Sequence, residues 1–410
     1  MLRCDDPSEG LKILVCQHGS RHRYAIPRML ESAGMLSALY TDSSSASLLG
    51  KCSVVLGDVA PPALARLGRR KIVGVPAHKV RSSDSYALRE QLHVSRRHRL
   101  KGIELFLERH RLLSRRMKAW GTRDATAVYS MYYENLDFIR WAKSKGCKSI
   151  VDVYISPLTG QIMQEEANPF ELPGGSHNPT SVQTKMDLWQ QAAALADLLL
   201  CPSEWVAEGV RDASPESAHK ICIVPYGCSI DYAGRVNRPK VGKVLFAGDD
   251  VVRKGLHYVA QAATELRAVN KDIDIEVAGS IPDTILRHPL CRDLHFVGKL
   301  SSEQMKQRYL AADVFVLPSL SEGFAGVVAE AIGAGCPVIV TREAGSPVLH
   351  EREGLIVAAR DPKALSEAIL RMVRDRELRE ACASHCLDQV PFYAESSWSE
   401  RLIQAITSRL

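Results

Sequence analysis

The sequence predicts an α/β protein of two Rossmann-like domains facing each other across a cleft, and three observations carry that reading. Short apolar runs of strand length alternate with amphipathic segments of helix length almost throughout, the pattern of parallel sheets with crossover helices. The runs fall into two series with an irregular stretch between them. At about 150 residues per domain, 410 residues are too many for one hydrophobic core.

Taken in order, the first series starts with a strand at Lys12–Cys16. A His18-Gly19-Ser20-Arg21 turn and a helix around Tyr24–Ala33 follow it. A glycine at the first strand-to-helix turn of such a fold normally faces the cleft, so Gly19 and Ser20 are candidate ligand contacts, although the loop lacks the full G-x-G-x-x-G of a dinucleotide site. Further strands are expected at Lys71–Val75, Ala125–Tyr129, Ser149–Val153, Leu198–Cys201 and Cys222–Pro225. Ser229–Val241, with Asp231, Gly234, Asn237 and Pro239 and little apolar periodicity, reads as the linker. The second series places strands at Lys243–Ala247, Ile273–Ala278, Leu294–Val297, Val314–Leu317, Pro337–Val340 and Leu355–Val357. Two sheets of about six strands fit better than one of twelve. The Pro- and Gly-rich stretch Glu165–Thr184 reads as a mobile loop on the cleft rim.

With 46% hydrophobic and 24% charged residues, the composition excludes collagen-like, disordered and disulfide-scaffold classes. Every long apolar stretch is cut by charge, Gly or Pro before the roughly 18 residues that a membrane span needs. The run Ile13–Cys16 is too short for a signal-peptide core, and eleven cysteines without a CxxC pair point to reduced thiols. A cytoplasmic protein is expected, with neither structural zinc nor a disulfide framework. The net charge of +6 is unevenly placed: between Arg69 and Lys118, fifteen Lys/Arg stand against four Asp/Glu, which leaves the rest of the chain acidic. At helical spacing this segment presents Arg96, Arg97, Arg99, Lys101, Arg109, Arg111, Arg115 and Arg116 outward, either as a solvated face or as a peripheral contact with anionic lipid. Nucleic acid is disfavoured because no aromatic stacking platform interleaves the cations.

The most informative stretch is Ser319–Thr341, SLSEGFAGVVAEAIGAGCPVIVT. A buried strand leads into a loop at Ser321–Gly323, then a short helix over Ala325–Ala334 closed by Gly335 where a left-handed cap is wanted. Unpaired N–H groups and the positive dipole end at Gly323, Phe324 and Ala325 suit a diphosphate, and Gly323 has no side chain to block its approach. Glu322 lies at the helix mouth and Glu330 two turns further on, where a carboxylate accepts two hydrogen bonds from a vicinal diol such as ribose. Arg253 and Lys254, followed by Gly255 and placed after the strand Lys243–Ala247, stand at the carboxyl edge of a parallel sheet, a phosphate-binding position.

In its strand, Glu-Gly-Phe, Ala-x-Gly-x-Pro-Val-Ile order, this segment resembles the EX7E signature of family 4 glycosyltransferases, retaining sugar transferases of the GT-B fold. Lys243–Tyr258 (KVLFAGDDVVRKGLHY), Leu195–Val206 (LADLLLCPSEWV) and Ile223–Asp231 (IVPYGCSID) are similar to further segments of that family in the same order. The resemblance runs from about Leu195 to Arg371. It implies a GT-B fold with residues 1–236 as an acceptor domain, 237–392 as a nucleotide-sugar donor domain, and a final helix within 393–410 packing back on the first. It also implies that Lys254 supplies a cation to the donor diphosphate, that Val297, Gly298 and Lys299 receive the base through their backbone, and that Asp152, where the family often has His, stands near the reacting centre. A turn or helix cap is the other reading of Asp152. Two departures are Asp249, where the family has Arg, with Arg253 as the substitute, and Ala325 in place of Gly.

The function expected is transfer of a sugar from a UDP- or GDP-sugar to a glycan, lipid-linked or small-molecule acceptor, with retention. Arg253, Lys254 and the helix N-terminus would stabilise the leaving diphosphate without metal or other cofactor, and Glu322 would serve the donor sugar. No Asp-x-Asp metal motif stands in a matching context. A sugar-nucleotide epimerase and a catalytically silent binding protein of the same fold are the alternatives.

Overall fold

The computed structural model describes residues 10–45, 47–56, 59, 68, 70–83, 102–166, 170, 178–228, 232 and 234–410. Among these, seven parallel strands form the first sheet: β1 (Ile13–Gln17), β2 (Leu36–Thr41), β3 (Val80–Ser82), β4 (Ala127–Met131), β5 (Lys148–Asp152), β6 (Leu198–Cys201) and β7 (Ile221–Ile223). Their spatial order is β3-β2-β1-β4-β5-β6-β7. A second parallel sheet contains β8 (Lys243–Ala247), β9 (Asp274–Ala278), β10 (His295–Gly298), β11 (Val314–Leu317), β12 (Val338–Thr341) and β13 (Gly354–Val357), in the order β10-β9-β8-β11-β12-β13.

Both faces of the first sheet are covered, which is why its strands read as continuous apolar runs. Ile13, Val15, Tyr129 and Met131 pack on Ile26, Met29 and Leu30 of the helix Ala25–Ser32, and on Trp398, Leu402 and Ile406 of the last helix, Glu395–Thr407. Leu14, Cys16 and Val128 face the other way, onto Leu113 and Met117 of Gly102–Trp120 and Phe138 of Leu136–Lys143. The helices that follow β1 and β4 therefore lie on opposite faces, and a crevice opens between the two strand ends. In the second sheet the same reversal falls between β8 and β11.

Several expectations are corrected. The run Lys71–Val75 is not a strand: Gly74 has φ +76 and Pro76 follows, so the third strand forms only at Val80–Ser82. Strand β2 was not foreseen, because Ser37 and Ala38 interrupt its apolar run. The end of the stretch expected as a loop at Glu165–Thr184 is helical, since Asn178 caps the helix Pro179–Leu195 by accepting from Ser181 N–H at 2.8 Å, with Pro179 at the first position. Residues 167–169 and 171–177 of that stretch lie outside the described residues, but Glu166 and Phe170 at its start are anchored on the second domain. Asn237 of the expected linker bonds the carbonyls of Tyr309 and Ala312 at 2.8 Å each, which holds the linker against that domain.

The apolar stripe of Gly102–Trp120 faces the first sheet and leaves Arg111, Arg115 and Arg116 exposed. Arg96, Arg97, Arg99 and Lys101 lie outside the described residues. Among the described residues no helix is long and apolar enough to cross a membrane.

Candidate functional site

The reversal point of the second sheet holds a compact charge cluster. After β8 the chain turns through Gly248–Gly255, and Gly255, at φ +75, caps the helix Leu256–Val269. A Cβ on Gly255 would lie 2.1 Å from the Pro318 carbonyl oxygen, so only glycine lets this loop reach the one that follows β11. That approach sets Arg253 and Lys254 beside Glu322. Arg253 Nη1 is 2.8 Å from Glu322 Oε2, and Lys254 Nζ is 2.8 Å from Oε1. The Lys254 contact is close in distance but not aligned, and Oε1 has no hydrogen-bond partner among the described residues. Arg253 is fixed more firmly, donating to the Ser321 carbonyl at 2.8 Å and to Asp250 at 2.7 Å. Burial opposes its charge, but Glu322 and Asp250 outweigh burial and hold the guanidinium pKa above its ordinary value.

The helix Gly326–Gly333 starts next to this cluster, with Ala325 as its buried N-cap and Gly335 in the left-handed conformation just beyond its end. The glycine left open to a ligand is Gly326, where an added Cβ would meet nothing within 4 Å. Gly323 has a different role from the one expected. A Cβ there would fall 1.6 Å from the Tyr154 carbonyl oxygen, and its own carbonyl accepts from Ser203 Oγ at 2.7 Å. Its missing side chain therefore serves the contact between domains rather than the approach of a phosphate. Phe324 continues that contact, with its ring centroid 5.8 Å from Tyr226 and 6.1 Å from Tyr393.

Four residues along the helix, roughly 6 Å at 1.5 Å per residue, Glu330 enters a cavity of about 500 Å³ between the domains. His22, Arg23 and Arg28 of the first domain line it, together with Tyr232, Leu300, Lys306 and Tyr309. Tyr309 OH donates to Glu330 Oε2 at 3.1 Å. Glu330 reaches solvent through the cavity, yet the surrounding protein raises its pKa. Desolvation dominates there and is only partly offset by Tyr309, Arg23 and Lys306. A carboxylate facing a polar cavity between two cations suits a diol ligand.

The remaining expected residues are placed as follows. Val297 and Gly298 end β10, and Lys299 is exposed beside them, but the cavity is reached by Leu300 rather than by these three. Gly19, at φ +65, donates its N–H to Asp42 Oδ1 at 3.0 Å, and Ser20 is exposed. The cavity is met instead by the next residues, His22 and Arg23, which with Tyr24 form three consecutive non-glycine positions at positive φ. Asp152 is not on the cleft surface. It is 1% exposed and accepts from the hydroxyls of Tyr129 and Tyr226. Burial raises its pKa to about 6 against the two hydrogen bonds and Arg21, which lower it. Its influence on the cleft passes through Tyr226, whose ring is 4.5 Å from His22. Arg23, Tyr232, Lys306 and Tyr309 were not foreseen. The signal for the last two was the three-residue spacing of Lys306 and Tyr309 on one helix face.

Two facing Rossmann-like domains, each parallel and each with its reversal point turned to the cleft, make this a GT-B fold. Residues 242–375 match the family described as glycosyl transferases group 1. The chain is 26% identical over 247 residues to a D-inositol 3-phosphate glycosyltransferase of Corynebacterium urealyticum, covering 53% of this chain and 58% of that protein. It spans about half the length of the curated relatives it matches. Among solved structures it resembles sucrose-phosphate synthase of Thermosynechococcus elongatus, with a TM-score of 0.68 and 17% identity over 97% of this chain and 98% of that one. It also resembles Anabaena HepE in complex with UDP and glucose, with a TM-score of 0.62 and 14% identity over 97% and 100%.

Proposed function

We propose that this protein is a glycosyltransferase that moves a sugar from a UDP- or GDP-sugar to an acceptor held by the first domain, with retention of configuration. The observation that carries the reading is the Arg253–Lys254–Glu322 cluster at the second sheet's reversal point, beside an open helix N-terminus and in line with Glu330. When the donor's glycosidic bond breaks, negative charge grows on the leaving diphosphate. Two half-buried cations and the unpaired N–H groups at the start of Gly326–Gly333 are preorganised to meet it, so the reading needs no metal ion. Glu330 takes the ribose hydroxyls in the cavity. Glu322, released from the two cations by the diphosphate, turns to a hydroxyl of the donor sugar or to the positive charge that develops at the anomeric carbon. The matched family, the named glycosyltransferase relative and the UDP held by a structure of the same fold support this reading.

The test is a thermal-shift panel of UDP, GDP, ADP and their sugars with the parent and Lys254→Ala. A ligand at about 100 times its Kd adds roughly 2.7 kcal/mol to the parent. Loss of a charge-assisted phosphate contact of roughly 1.5 to 3 kcal/mol weakens the diphosphate at least tenfold in Lys254→Ala and leaves the nucleoside unchanged. Absence of a shift with every nucleoside diphosphate overturns the proposal.

A further inference from the structure

The segment that follows β5 crosses from the first domain onto the second, and it delivers a carboxylate that the site described so far does not use. Gly323 packs against the Tyr154 carbonyl, Thr159 Oγ1 lies 2.8 Å from Ser321 Oγ, and Glu166 follows the helix Thr159–Glu165. The Glu166 side chain is 4% exposed, and three donors of the second domain converge on it. Oε1 accepts from Tyr258 OH at 2.6 Å and lies 2.9 Å from His257 Nε2, while Oε2 accepts from Arg360 Nε at 2.8 Å. Phe170, a little further on, is buried in the second domain's core with its ring centroid 6.1 Å from His257.

Two of these donors stand next to the cations. His257 and Tyr258 lie in the first turn of the helix Leu256–Val269, three and four positions after Lys254. A carboxylate beside the first turn of a helix is also favoured by the helix dipole. The loop before that turn is tied into it: Lys254 N–H donates to the Asp250 carbonyl at 2.9 Å, Gly255 N–H to that of Val252 at 3.0 Å, and Leu256 N–H to that of Val251 at 2.9 Å. The loop carrying Arg253 and Lys254 therefore moves with the turn that Glu166 holds. His257 is buried, and because an ionised carboxylate only accepts, its Nε2 donates to Glu166; its Nδ1 has no hydrogen-bond partner among the described residues. The orientation of that ring thus rests on Glu166. Without the carboxylate, a buried imidazole loses its hydrogen bond among the described residues, a cost that favours its displacement.

We propose that Glu166 is a positioning residue of the donor site. From the first domain it fixes the first turn of the helix Leu256–Val269, and through that turn it keeps Arg253 and Lys254 where a diphosphate meets them. The inference rests on the donor reading above for its ligand, and it adds that affinity for the diphosphate is set in part from the other domain. A carboxylate that only joined the domains would need no donor beside the cation loop; Arg360, on the segment after β13, would serve that end alone.

Hydrogen exchange read by mass spectrometry, with no ligand added, tests the positioning in the parent, Glu166→Ala and Glu166→Gln. Asp197→Ala is the control, since Asp197 is a half-buried carboxylate of the first domain that accepts from Lys143 and from Ser149 N–H of the same domain. Peptides covering 249–258 exchange faster in Glu166→Ala than in the parent. Glu166→Gln, which still accepts from Tyr258, lies between them, and Asp197→Ala leaves these peptides unchanged even where its melting temperature falls. In calorimetry, UDP and GDP bind Glu166→Ala about fivefold more weakly, less than the loss in Lys254→Ala because the cation is displaced rather than removed, and their nucleosides bind as to the parent. If Glu166→Ala does not fold, the same comparisons are made with Glu166→Gln. Unchanged exchange over 249–258, an equal increase in Asp197→Ala, diphosphate affinity equal to the parent's, or a loss shared by nucleoside and diphosphate overturns the inference. Faster exchange in the variant, with no response of the parent to any nucleoside diphosphate, leaves the hold of Glu166 on that loop standing and removes the transfer reading.

Discussion

Glu322→Gln should tighten the binding of a bare nucleoside diphosphate. In the structure the Glu322 carboxylate lies against both cations of the proposed diphosphate site, each at 2.8 Å. A phosphate oxygen taken by the same cations at a similar distance would stand about 5.6 Å from that carboxylate, where two unit charges repel by about 3 kcal/mol at an effective dielectric of about 20. That figure is an upper bound, because the glutamine oxygen still competes for the cations and a ligand brings water with it. About 1.4 kcal/mol, a tenfold gain in affinity, is the expected net. A nucleotide-sugar should gain less, since the variant would also weaken the proposed contact of Glu322 with the sugar, and turnover should fall. Calorimetry with UDP, GDP and their nucleosides at low and moderate salt reads the effect, which should shrink as salt rises. If the diphosphate binds the variant as the parent or more weakly, the two cations are not the diphosphate site.

Gly323→Ala drives a methyl group into the Tyr154 carbonyl at 1.6 Å, and overpacking of this kind costs about 1 to 3 kcal/mol. A lower melting temperature is expected, while Gly326→Ala, in open space, should melt as the parent does. Asp152 sets a pH dependence. Its folded pKa of about 6 is above the ordinary value, so the folded state binds the proton more tightly, and stability is highest below about pH 4 and lost as pH rises through 6. Denaturant unfolding of the parent and Asp152→Asn between pH 4 and 7 should show the parent's relative stability falling over that window. A difference that stays constant with pH places the raised pKa elsewhere.

The strands flanking the donor-side cluster were legible because parallel strands buried on both faces leave uninterrupted apolar runs, and Lys243–Ala247 and Val314–Leu317 match their expected bounds. Strand β2 was not, since Ser37 and Ala38 break its run and only the fold shows that Ser37 is buried with its hydroxyl on Asp124. Arg253, Lys254 and Glu322 were legible as types because each follows a recognisable strand within a few residues. That the carboxylate lies 2.8 Å from each of the two cations required the loop approach at Gly255. Asp152 shows the limit from the other side: its position at a strand end is visible in the sequence, but the two tyrosines that enclose it come from β4 and from the segment after β7. The left-handed turn at His22–Tyr24 that brings Arg23 to the cavity has no glycine to announce it.

The contacts that hold the domains together also set the site. Ser203 bonds the carbonyl of Gly323, Thr159 meets Ser321 Oγ at 2.8 Å, and Glu322 N–H donates to the Glu343 carbonyl at 2.7 Å, so the loop carrying Glu322 is fixed from both domains. On one side of it the last helix packs Trp398 against Tyr226 and His22. Beyond the second domain's first helix, Glu166 accepts from His257 at 2.9 Å, Tyr258 at 2.6 Å and Arg360 at 2.8 Å, and these donors outweigh burial to lower its pKa. Glu166 is thus tied to the second domain by three donors, while the aromatic seam lies at the last helix. The loops at the β1 end and the charge cluster between β8 and β11 are thus held in register by contacts that tie both domains to the loop carrying Glu322.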